Sequence, residues 1–208
     1  MPFADLINTN LRRVPCRAVY IVCAIPALLL FFGLLTGGLG VDPIRRLELE
    51  LGEWALRLVI AGLCITPLRR WGGINALGFR RAIGVMAFVY VLLHLMVWLV
   101  LDMGLRGDQI WKDILKRRYI TIGMVGFLML LPLAVTSNDI SLRRLGSAAW
   151  QRLHRLVYPA ALAGGLHFVL IVKGWPVEPM VYMAIILSLL AMRAVPRQAT
   201  GRRASVAR

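Results

Sequence analysis

The sequence is poor in charge, and poorest in acid. Only 17% of its 208 residues are Asp, Glu, Lys or Arg, and only 10 are acidic. Hydrophobic residues make up 59%, and the mean hydropathy is +0.73. A soluble domain is about 45–50% apolar, so a buried core alone cannot absorb this excess and lipid must. Cysteine is scarce as well. Cys16, Cys23 and Cys64 form no CxxC pair and no cluster, which argues against a disulfide framework or a cysteine zinc site. No glycine-rich dinucleotide fingerprint occurs, and no stretch has the composition of a soluble domain. A nicotinamide nucleotide therefore has no evident place to bind. No internal repeat is visible.

The charge that is present is mostly of one sign. Lys and Arg number 25, for a net charge of +15. Nucleic acid and membrane lipid both answer to such a bias. Here the basic residues are divided among short segments instead of gathered on one domain, so lipid is the expected partner and nucleic acid is not.

A bilayer core about 30 Å thick is crossed by about 20 apolar helical residues. Six runs approach this: 18–37, 54–68, 82–101, 119–136, 153–172 and 175–192. The second is short and carries Arg57, and the sixth has Glu178 near its start. Arg12, Arg13 and Arg17 precede the first run as in a signal peptide, but the run outlasts an h-region of about 7–15 residues. It is read as a retained helix. The expected fold is all-α, a polytopic membrane protein with a bundle of about six transmembrane helices. Residues 1–17 form an N-terminal segment, 18–192 the membrane domain, and 193–208 a basic tail whose composition favours disorder.

Loop charge sets the orientation. Segments on the side of the N-terminus hold 16 Lys and Arg, the opposite side holds 8, and Arg57 lies within a span. The positive-inside rule then places both termini in the cytoplasm. The cluster Lys116, Arg117 and Arg118 opposes this locally and is outvoted.

The chain has three histidines, His94, His154 and His167, and all fall in the expected spans. Ionisable or metal-ligating side chains are costly in lipid and mark functional sites by default. At 1.5 Å per residue His94 lies about 18 Å along the third span and His167 about 21 Å along the fifth. Both enter from the cytoplasmic side, so the two rings are level in the outer half of the bilayer. Two imidazoles at one depth on separate helices can ligate one haem iron from both faces, an arrangement suited to electron transfer. Three other readings stay open. Zinc wants a third or fourth protein ligand, and no acid or cysteine sits clearly at that depth. A proton relay needs carboxylates in the spans. The histidines are otherwise structural, hydrogen-bonded between helices.

His154 stands apart, near the inner face. At its depth the third span presents Arg80 and Arg81. Arg80 lies 14 residues before His94, nearly the same helical face. These arginines are placed to pair with a haem propionate, or they are ordinary positive-inside anchors. Arg57, near the outer end of its span, is placed either to bind a propionate or to snorkel. His154 and His167 are 13 residues apart, about 140° off one face of a straight helix. Pro159 and Gly164–Gly165 lie between them as sites where the phase can change.

Several runs together resemble a known family. They are Gly40-Val41-Asp42-Pro43, Gly52-Glu53-Trp54-Ala55-Leu56, Thr66-Pro67-Leu68-Arg69-Arg70, and Arg80-Arg81 through Tyr90 to His94. Tyr119-Ile120-Thr121, Pro132-Leu133-Ala134-Val135-Thr136-Ser137, and Leu153-His154-Arg155-Leu156-Val157-Tyr158 through His167 complete the set. In order and spacing these resemble the MsrQ family, haem-binding membrane subunits of the bacterial periplasmic methionine sulfoxide reductase system, within the wider ferric-reductase-like transmembrane group. Arg118 departs from the pattern, where a proline is expected. The resemblance implies haem b, one or two, with His94, His154 and His167 as candidate ligands. It also implies FMN, an inner-membrane location, and a periplasmic molybdopterin-containing catalytic subunit as electron acceptor. The implied donor is the quinone pool or a cytoplasmic flavin reductase. The outer segments 38–52 and 102–118, with Asp42, Glu48 and Glu50, are then the expected docking surface. The alternatives are a ferric or quinone oxidoreductase cytochrome b subunit with another partner, and a small transporter or assembly factor with structural histidines.

Overall fold

The computed structural model of the protein describes residues 2–171, 174 and 177–194. Among these the regular structure is helical throughout, with no strand. Five stretches are long and apolar enough to cross a membrane: Cys16–Thr36, Pro43–Trp71, Leu77–Asp102, Arg118–Val135 and Asp139–Ile171. The first three carry α2 (Cys16–Thr36), α3 (Pro43–Trp71) and α4 (Arg80–Met96), the last continued by a π-helical turn over Val97–Asp102. The fourth is α6 (Arg118–Val135), and the fifth joins α7 (Asp139–Leu153) to α8 (Val157–Ile171). The sixth expected span is helical as α9 (Val177–Ala194), while its first residues, Trp175 and Pro176, lie outside the described residues.

α3 is the axis of the bundle. It packs on α4, α2, α8 and α9, and α6 packs on α8 and α4. Leu47, Leu51 and Leu63 of α3 are at most 1% exposed. By contrast α2 leaves Ile21, Val22, Leu28, Leu29, Phe32 and Leu35 exposed, as suits a helix that is apolar all round and faces lipid. It is tied to α4 at its own proline. Pro26 disturbs the backbone ladder, and the fully buried Tyr90 fills the gap. The Ala27 N–H donates to the Tyr90 hydroxyl at 2.9 Å, and that hydroxyl donates to the Cys23 carbonyl at 2.7 Å.

The structure corrects the expected second span. α3 begins at Pro43, not at Trp54, because two local signals outweigh hydropathy. The Asp42 side chain accepts from the Arg45 N–H at 3.2 Å, with proline at the first helical position, an N-cap with a preset φ. The charges that look like a loop form helical i,i+4 pairs, Arg46–Glu50 at 2.9 Å and Glu53–Arg57 at 2.6 Å, as one helix face allows. Glu48 is thereby 6% exposed. It is not available as part of a docking loop, and Glu50 is already paired.

Three amphipathic helices occupy segments read as termini or loops. α1 (Pro2–Arg13) lies against the turn before α4, where Asn8 donates to the Gly73 carbonyl at 3.0 Å and accepts from the Asn75 N–H at 2.8 Å. α5 (Gly107–Lys116) leads into α6. α7 kinks at Gly146, where φ is 72°, a value that favours glycine. Arg81 binds Asp139 at the start of α7 at 2.7 Å. Arg193, counted with the tail by composition, sits on the last turn of α9 and donates to the Leu63 carbonyl at 2.6 Å and the Tyr158 hydroxyl at 3.0 Å. Residues 195–208 of the tail lie outside the described residues.

Candidate functional site

His94 stands on the last turn of α4, immediately before the π-helical turn; His167 stands on α8. π-turns inside helices are frequent at functional sites. The two rings meet across a cleft with centroids 6.1 Å apart and planes at 82°. Two imidazoles bonded to one metal at about 2 Å each place their ring centres about 6 Å apart. The spacing therefore fits a shared iron.

Each ring has its second nitrogen fixed. His94 Nδ1 lies 2.8 Å from the Glu48 carbonyl oxygen, and His167 Nδ1 lies 2.6 Å from that of Tyr119. A carbonyl only accepts, so both Nδ1 atoms carry the proton and donate it. Nε2 of each ring is left with its lone pair, the form in which neutral imidazole binds a metal.

The cleft walls are largely apolar, with Leu56, Val59, Val91, Phe127, Leu130 and Phe168. Its charged lining residues are Arg45, Glu48, Glu53, Asp102 and Arg117, together with Tyr119. An apolar slot between two imidazoles, with Arg45 and Arg117 among its lining residues, has the chemistry to take a porphyrin and its propionates. Among the described residues no three His, Cys, Asp or Glu side chains gather into a metal site, so the donor set resembles haem ligation more than a zinc centre.

His154 lies elsewhere. It opens a short 3-10 turn, His154–Leu156, that joins α7 to α8. This turn is where the helical phase changes between His154 and His167, ahead of Pro159 and the Gly164–Gly165 pair. Its ring stacks on Trp150 with centroids 3.7 Å apart, its Nδ1 is 3.0 Å from the Trp150 carbonyl, and its Nε2 is 3.4 Å from the Ser137 hydroxyl. It lines a second cleft, nearer α1 and α7, together with Arg69, Arg80, Arg81 and Arg155 and without an acidic residue. His154 is the one histidine there. Arg80 and Arg81 thus share a cleft with His154, as their depth implied, although Arg81 is also bound to Asp139.

Arg57 is not among the residues lining either cleft. Its guanidinium is held by Glu53 at 2.6 Å and by the Tyr182 hydroxyl at 2.7 Å, and lies 5.0 Å from the centre of the Trp54 ring. Its partners in the structure are protein groups. Arg45 and Arg117 line the histidine cleft, where Arg57 does not. One signal for Arg117 was present, since it belongs to the basic cluster that opposed the positive-inside rule.

The ferric reductase like transmembrane component family model matches residues 51–165. A protein-methionine-sulfoxide reductase heme-binding subunit MsrQ from Brucella anthropi is 44% identical over 185 residues, 89% of this chain and 84% of the relative. The protein of the same name from Brucella ovis is 46% identical over 175 residues, 84% of this chain and 79% of the relative. Both cover most of each chain and both span the two histidine-bearing helices, so the chain belongs to the MsrQ family within the ferric-reductase-like transmembrane group.

Proposed function

We propose that the protein is a membrane cytochrome b that carries electrons across the bacterial inner membrane to a periplasmic, molybdopterin-containing methionine sulfoxide reductase. Its donor is the quinone pool or a cytoplasmic flavin reductase. The observation that carries this reading is the facing pair His94 and His167, 6.1 Å between ring centres, each with Nδ1 committed to a backbone carbonyl. When bound, haem b would supply a one-electron couple, and His94 and His167 would be the residues that hold it, leaving no open position and so favouring electron transfer over binding of a further ligand. The protein holds both imidazoles in the ligating tautomer, excludes water with apolar walls, and offers Arg45 and Arg117 to the propionates.

The second cleft supports a separate site for FMN. Arg69, Arg80 and Arg155 offer positive charge to a phosphate, Leu58, Phe88 and Leu133 offer an apolar wall, and His154 offers a hydrogen bond. With one histidine there, the cleft supports FMN better than a second haem held by two imidazoles. The two clefts share Val59 and Leu130 as walls, a short path for electrons. The structural-histidine alternative accounts poorly for two adjacent imidazoles that share one cleft and, among the described residues, both leave Nε2 without a protein partner.

The test is cofactor content of the purified protein. One haem per chain, a low-spin reduced-minus-oxidised spectrum, and one FMN released on denaturation are expected. Colourless protein overturns the reading. Two haems per chain would transfer the second cleft from FMN to haem.

A further inference from the structure

A carbonyl inside an α-helix accepts from the N–H four residues on. The side chain at that fourth position leans back toward the N-terminus and covers the carbonyl. Glu48 and Tyr119 lie within α3 and α6, yet each of their carbonyls also accepts an imidazole N–H, at 2.8 and 2.6 Å. In both cases the residue four positions on is glycine, Gly52 and Gly123. A Cβ at Gly52 would stand 3.2 Å from His94 Nδ1 and 3.3 Å from its Cε1. At Gly123 it would stand 2.8 Å from His167 Nδ1 and 3.0 Å from its Cε1. Gly33 and Gly165 are as close-packed, with Leu39 at 3.2 Å and with Ile186 and Met183 at 3.1 Å, but there the neighbours are flexible apolar side chains, and among the described glycines the neighbour is an imidazole at Gly52 and Gly123 alone. A Cβ at Gly62 would meet nothing closer than Ile83 at 3.8 Å, and at Gly84 nothing within 4 Å. The same device therefore occurs twice, on two helices, once for each imidazole.

We propose that Gly52 and Gly123 are positioning residues of the haem site, each opening a helix carbonyl to one imidazole Nδ1–H and so fixing that ring's tautomer, rotation and donor strength. The inference rests on His94 and His167 being the axial ligands. A hydrogen bond from Nδ1–H raises the basicity of the ligating nitrogen, which stabilises the ferric state and holds the reduction potential down. The same contacts hold the ring planes at 82°. Low-spin ferric haem between perpendicular imidazoles gives a strongly anisotropic EPR signal, and nearly parallel planes give a less anisotropic one.

Gly123→Ala and Gly52→Ala separate this role from simple packing. At position 123 the new methyl group must push the ring off the Tyr119 carbonyl, because 2.8 Å is closer than Cβ atoms come. At position 52 a shift of a few tenths of an ångström relieves the 3.2 Å contact. Both variants are expected to bind haem with a more positive midpoint potential and a less anisotropic EPR signal, the larger change coming from Gly123→Ala. Wild-type potential and EPR signal in both variants overturn the proposal. If Gly123→Ala yields no folded haem protein, Gly52→Ala decides: a positive shift supports the proposal and an unchanged potential overturns it. A wild-type protein without a low-spin haem spectrum refutes instead the reading of the ligands, so the two failures are distinguishable.

Discussion

An imidazole in lipid must satisfy two nitrogens, and the three histidines do so differently. All three spend Nδ1 on a backbone carbonyl, but His94 and His167 do so on another helix and share one cleft, whereas His154 does so on its neighbouring turn and stacks on Trp150 in the other cleft. His94→Ala and His167→Ala should therefore abolish the low-spin haem signal to similar extents, and the double variant should be little worse, because two axial ligands act as one unit. His154→Ala should keep that signal and lower retained FMN. Haem content and reduced-minus-oxidised spectra of the four variants check this; a wild-type spectrum for His94→Ala sinks the assignment. Tyr90 gives a second prediction. Tyr90→Phe takes the bridge from the Ala27 N–H and the Cys23 carbonyl in a buried setting, at a cost of about 1–3 kcal/mol. Thermal unfolding followed by circular dichroism in detergent should show a lower midpoint with the haem spectrum unchanged. The pairing of His94 with His167 was legible in the sequence, since depth needs only a residue count and the rise per residue. Their Nδ1 acceptors were not, because a backbone carbonyl on another helix leaves no mark in composition.

At the level of elements, hydropathy reads lipid contact and not helix. It located α2, α4, α6 and α8 within a few residues. It missed α1, α5, α7 and the first turns of α3, whose charges lie on one face of an amphipathic helix or pair four residues apart. Asp42-Pro43 was the readable sign of the early start of α3, as an N-cap followed by proline. The longer helix changes what a charge reversal tests. Asp42→Ala should remove the cap at a cost of about 0.5–2 kcal/mol and leave the haem spectrum intact. Glu48→Lys places a new cation at a position only 6% exposed, on the same turn that supplies the His94 acceptor. It should reduce haem loading severely instead of merely slowing delivery to a partner. Loading at the level of the native protein in Glu48→Lys would show that this turn is not part of the site.

Across the whole molecule, the two ends differ in charge and in equipment. One end gathers α1, α7, the second cleft and most of the arginines, joined by the contacts of Asn8 with residues 73 and 75 and by the Arg81–Asp139 pair. The other gathers α5, the start of α3 and the mouth of the histidine cleft. An electron carrier needs such polarity, with a site for the donor at one end and for the acceptor at the other. The bias of 16 basic residues to 8 then predicts which end is which, because Lys and Arg in short loops are retained in the cytoplasm. The cluster Lys116 to Arg118 still opposes this locally, although Arg117 has a place in the histidine cleft and pairs with Asp113 at 3.4 Å. A reporter active only in the periplasm should work when fused at Gly107, at the start of α5, and fail at the C-terminus. A cytoplasmic reporter should give the reverse pattern. Equal signals from both sites would break the even number of crossings, and an inverted pattern would place the histidine cleft on the cytoplasmic side, out of reach of a periplasmic acceptor.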